Sequence, residues 1–212
     1  MPLVKPTPPT DVSAAINDGF LAFSIGSNTG IQRQGDVAQP PIMPAASQAE
    51  LPIDAQAVYV LNLADAATIA GTAAAAPAGW RFFAGNTAPK LVLGWISRPD
   101  SSGKRRVTAA YTGDRVWAGY EAMANLALLP ELQAHNYELR ILMAPALNLE
   151  AFWLVSQDAG APDLIAPFAS DPMHLIPGLR TQPVYTMADF IAIVRPAALL
   201  LRHTCRCAGP GT

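Results

Sequence analysis

The segment that most restricts this chain is Ala-Val-Tyr-Val-Leu-Asn-Leu at 57–63, which is apolar on both of its alternating faces. Successive strand side chains point to opposite sides, so such a strand needs cover on both. It predicts a central strand held between two layers. The rest of the chain must supply its neighbours and its cover.

Two pairs of segments are suited to be neighbours. Residues 91–96 and 105–111 are strand-like, and the Pro, Asp and Gly between them are turn formers, which predicts a hairpin. Residues 137–143 and 147–155 are joined through Ala144, Pro145 and Ala146 and predict a second hairpin. Centring that turn on Pro145 sets Arg140 opposite Glu150, Ile141 opposite Leu149, Leu139 opposite Ala151 and Tyr137 opposite Trp153. Opposite charges then meet on one face and apolar pairs on the other. The face carrying Glu138, Arg140, Asn148 and Glu150 is expected to be the wetter one.

The cover is helical. Val116, Tyr120, Met123 and Ala127 recur at helical spacing after Asp114, a good N-cap, and before Pro130, a natural stop. A C-terminal helix starts at Thr186, whose hydroxyl can cap it with Asp189 at the third helical position. Its buried stripe is Met187, Phe190, Ile191 and Val194, with a kink or restart at Pro196 and an end near His203.

Residues 1–52 are proline-rich and predict an extended N-terminal arm, with a short helix over 12–17 and a strand over 20–25. The Ala-rich stretch 66–79 has little to bury and reads as a connector or short helix. The fold class is α+β: a mainly antiparallel sheet of hairpins packed against one internal helix and one kinked C-terminal helix, with the Pro-rich arm. The expected organisation is an arm at 1–52, a single α+β domain at 53–203 and a C-terminal tail at 204–212.

Charge narrows the partners. Only 14% of the 212 residues are charged and 51% are hydrophobic, against about 25% charged in an average globular protein. The surface is therefore Ala- and Pro-rich, or partly covered by a partner. The formal net charge of -2 and the scatter of basic residues argue against nucleic acid; Lys104, Arg105 and Arg106 read as a solvated hairpin tip. No apolar run reaches a membrane span, no export signal opens the chain, and two cysteines give no disulfide framework, so a soluble cytoplasmic protein is expected.

Chemistry-bearing constellations are weak. Gly26 to Gly30 lacks the helix N-terminus and the Lys-Ser/Thr ending of a phosphate loop. His203, Cys205 and Cys207 would share one face of an extended tail, but no fourth ligand is fixed nearby. Ser170, Asp171 and His174 are hydrolase residue types crowded into one loop, with no nucleophile elbow. Trp80, Trp95, Trp117 and Trp153 could line an aromatic cleft, or serve as core. Glu121 and Glu150 have no partner carboxylate set by spacing. No catalytic residue, metal ligand or cofactor is nominated, no ligand-binding residue is specified, and His135, His174 and His203 are read as non-catalytic.

The leading functional expectation is a non-enzymatic interaction or assembly protein, self-associating or binding a protein partner through the N-terminal arm. Leu3, Val4, Phe20, Leu21, Phe23 and Ile42 would be its anchors, or else would fold the arm back over its own sheet. The alternative is a module for a small apolar or aromatic ligand. A hydrolase using His174 comes third.

Overall fold

The computed structural model describes residues 3–25, 53–68, 75–85, 91–167, 176, 178, 179 and 184–207. The fold is α+β, and its strands, numbered along the chain, follow the order β4-β3-β2-β1-β5-β6-β7-β8. The chain divides into two compact units: Met1–Pro6, Gln56–Ala78 and Glu121–Thr212 form one, Thr7–Ala55 and Gly79–Tyr120 the other.

In the first unit, β1 (Ile53–Val60) runs parallel to β5 (Tyr137–Ala144), with Ala57 beside Arg140 and Val60 beside Met143. From β5 the sheet continues antiparallel through β6 (Leu149–Ser156), β7 (Leu164–Pro167) and β8 (Tyr185–Thr186). One face packs Leu61, Leu142, Ala151, Trp153 and Ile165 against α2 (Leu63–Ala66) and α4 (Met187–Cys207). On the other, Val58, Leu139, Ile141, Phe152 and Leu154 are buried too. The doubly apolar strand thus has the two-sided burial its sequence demands. Val4 extends the parallel edge, its N–H donating to the Tyr137 carbonyl and its carbonyl accepting from the Leu139 N–H.

Helix α4 begins as its sequence predicts. The Asp189 N–H donates to Thr186 Oγ1 at 3.2 Å, and that hydroxyl donates to Asp189 Oδ2 at 2.7 Å. Phe190, Ile191, Val194 and Ala198 form its buried stripe, each fully buried large side chain contributing about 1.5–3 kcal/mol. The helix runs through Pro196 to Cys207.

The register of β5 with β6 differs from expectation by three residues. Arg140 pairs with Trp153, Ile141 with Phe152 and Met143 with Glu150, so Arg140 and Glu150 lie on opposite faces. The loop is longer than a turn centred on Pro145: a 3-10 turn over Pro145–Leu147 is followed by Asn148 at φ 47°, ψ 44°. An odd shift exchanges the faces.

In the second unit, β2 (Ala76–Ala84), β3 (Val92–Ile96) and β4 (Val107–Tyr111) are successively antiparallel. The hairpin between β3 and β4 is closed by Asp100, whose carboxylate accepts from the Ser102 and Lys104 backbone N–H groups. Strand β2 was not legible, because its first residues belong to the Ala-rich stretch read as a connector. Residues 20–25 correct a second expectation: they continue α1 (Thr10–Ile25) instead of forming a strand. A short apolar run fits either period, and a helix already nucleated extends more readily than a new strand starts. Val12, Ala15 and Ile16 of α1 are buried on Phe82, Ala84 and Ile96, with Trp80 and Val107 beside them. Thus Val4, Val12, Ala15 and Ile16 of the arm pack on their own chain. The helix α3 (Asp114–Leu126) has Asp114 as its first residue, and the cap position expected for it falls on Gly113, whose carbonyl accepts from the Val116 and Trp117 N–H groups.

Candidate functional site

The four tryptophans do not form one cleft. Trp80 belongs to the α1-facing side of the second unit, while Trp95 stands opposite Arg81, on the other face. Trp117 stacks on Tyr120, with ring centroids 5.9 Å apart, and Tyr120 meets Phe83 edge-on at 5.5 Å. Trp153 belongs to the first unit and is buried. Arg81 is 2% exposed, with its guanidinium carbon 5.2 Å from the centre of the Phe83 ring.

The basic triplet is a hairpin tip as expected, with Lys104 and Arg106 exposed and Arg105 paired with Asp11. That pairing holds the Asp11 carboxyl below the usual aspartate range. Glu121 is exposed, and Glu150 lies opposite Met143 on β6. Gly26 to Gly30, and Ser170, Asp171 and His174, lie outside the described residues. Residues 203, 205 and 207 are helical instead of extended, a conformation in which position 205 falls away from the face that positions 203 and 207 share. Among the described residues, no three His, Cys, Asp or Glu groups come together to hold a metal.

His135 does find a carboxylate: its Nδ1 lies 3.4 Å from Asp158 Oδ2. Asp158 also accepts from the Asn136 backbone N–H at 2.9 Å and from the Asn136 side-chain amide at 3.2 Å. Those bonds, then the one from His135, hold its carboxyl below the usual range. The neighbouring Ser156 hydroxyl donates to the Asp158 carbonyl and accepts from its N–H, so it is committed to the turn. The group ties the start of β5 to the end of β6. Burial, then the charges of Asp158 and Asp163, pushes the Tyr137 hydroxyl up, keeping it protonated.

The site that sequence reading missed surrounds Arg140. Its Nε donates to Glu138 Oε1 at 2.7 Å, and its guanidinium carbon lies 5.0 Å from the Tyr59 ring centre and 5.3 Å from that of Trp153. The two rings meet edge-on at 5.1 Å. The Trp153 indole N–H donates to Asp163 Oδ2 at 2.9 Å, and Asp163 Oδ1 accepts the Ser156 N–H. Charge alternation along β5 was the only signal available. It predicts Glu150 across the hairpin, whereas the carboxylate that serves Arg140 is Glu138, two residues before it on the same face.

Comparison with protein-family models, with curated proteins and with solved structures gives no match.

Proposed function

We propose that this chain is a non-enzymatic assembly protein that pairs with a second copy through the outer face of α4. The observation that carries the reading is the composition of that face. Between Phe190 and Arg202 its exposed positions are Ala192, Pro196, Leu199 and Leu200, with Leu199 37% and Leu200 66% exposed. The solvent face of an amphipathic helix ordinarily carries charge, and none of these four positions does. A two-fold pairing sets the same surface on itself, so an uncharged strip meets no like-charge repulsion. The low charge of the whole chain points the same way.

Light scattering over a range of concentrations tests the proposal. The expected result is a mass that rises toward twice the monomer, and that Leu199→Ser with Leu200→Ser returns to the monomer without loss of folding. A wild type that stays monomeric throughout, or a double variant that associates as before, overturns it.

A further inference from the structure

We infer that the Arg140 cluster is a binding site for a carboxylate carried on an apolar body. The inference stands apart from the self-association of α4. It rests on how β1, β5 and β6 place four side chains.

The register puts Ala57, Arg140, Trp153, Ile165 and Tyr185 in one row across the sheet, with Tyr59 two positions along β1 on the same face. The guanidinium is fixed on three sides, by Glu138 at Nε and by the two rings. Its terminal nitrogens, with four N–H donors, have no hydrogen-bond partner among the described residues. The side chain is nevertheless only 22% exposed. Arg105 and Arg195 are each bonded within the chain, to Asp11 and to the Ala67 carbonyl respectively. Arg105 also uses Nη1, on the Ser97 carbonyl at 3.3 Å, whereas Arg195, like Arg140, is bonded through Nε. Asp163 does not fill that fork, because its oxygens accept from Trp153 and Ser156.

An arginine fork matches the two oxygens of a carboxylate, and a bidentate pair of charge-assisted bonds is among the stronger polar contacts. Tyr59, only partly buried beside the guanidinium, offers an apolar wall for the body of the ligand, while Trp153, buried in the core, backs the guanidinium. Glu138 repels a second anion, but it lies farther from the fork than the anion's own contact, and attraction falls with distance. One arginine facing one carboxylate suits a monoanion; a phosphate dianion would double the repulsion from Glu138 without gaining a second cation. The acid group can belong to a small organic acid or to the end of a peptide chain.

The test uses the full chain and the indole N–H resonance of Trp153, assigned with Trp153→Phe. Benzoate is titrated against benzamide, and N-acetylphenylalanine against its amide. The acids are expected to shift the resonance and the amides not; a response to benzoate assigns a free acid, and a response to acetylphenylalanine alone assigns a chain terminus. Arg140→Gln should weaken binding at least about tenfold, the loss expected for a bidentate charged contact. Glu138→Gln keeps the acceptor at Nε but removes the repulsion, so it should tighten binding severalfold. Equal shifts with benzamide, no shift with either acid, or undiminished binding in a folded Arg140→Gln protein each overturn the site. Should Arg140→Gln not fold, unchanged or weaker binding in Glu138→Gln overturns it instead.

Discussion

Gly19 of α1 lies directly against Val107 of β4, so close that a Cβ built on the glycine would overlap the valine Cγ2. Alanine would gain up to about 1 kcal/mol of helix propensity at this position. The overlap costs more, typically about 1–3 kcal/mol, since the valine atoms involved sit next to the main chain. Gly19→Ala is therefore expected to destabilise the protein. In urea unfolding, Val107→Ala should cost less in the Gly19→Ala background than in the wild type, and strict additivity of the two would show that they do not touch.

Asn148 ends the loop between β5 and β6 in the left-handed region, where a β-branched residue costs about 1–2 kcal/mol and glycine costs nothing in strain. Asn148→Val should lower the unfolding midpoint, and Asn148→Gly should leave it unchanged or raise it. Equal effects of the two substitutions would mean that the loop is not held at this conformation in solution.

The lowered carboxyl of Asp158 links stability to pH with a definite sign. A folded-state value below the unfolded one contributes stability above the ordinary aspartate range, and that contribution is lost as the pH falls through the folded value. Asp158→Ala should be less stable than the wild type at neutral pH, and the two should converge below about pH 4. A difference that persists undiminished into acid would assign the effect to packing.

Pro196 is exposed within α4 and offers no N–H to the Ala192 carbonyl one turn earlier. Pro196→Ala restores that bond at a position with little packing to lose, while releasing roughly 0.4–1 kcal/mol of constraint on the unfolded chain. A net gain of about 1–2 kcal/mol is expected as a higher melting temperature. Because the outer strip stays uncharged, self-association should survive the substitution.

Legibility in the sequence followed the range of the forces involved. The start of α3 at Asp114 and the Thr186 cap of α4 are local, and both were readable from a few residues. Strand β2 was hidden because its first residues are alanine, proline and glycine; only Trp-Arg-Phe-Phe at 80–83 marks it, an arginine among aromatics that buries with ring support. The β5–β6 register departs from the charge pairing of Arg140 with Glu150 because the loop, with Asn148 in the left-handed region, sets the alignment. The Arg140 cluster was readable only as charge alternation along β5. Tyr59 comes beside it only through the parallel pairing of β1 with β5, and nothing in the spacing of residues 59, 140 and 153 announces that pairing.

That parallel junction also sets an order of events during synthesis. The strands on either side of each hairpin emerge within moments of one another, but Ala57 must wait for Arg140, about 80 residues later. At roughly 5–20 residues per second, the delay is about 4–16 s. During that interval β1 is on the ribosome without its β5 neighbour, while β3 and β4 can already have closed. Val4 waits longer still for its partners in β5, so the arrival of β5 releases both waits at once, and a slowly translated stretch between β1 and β5 would lengthen them.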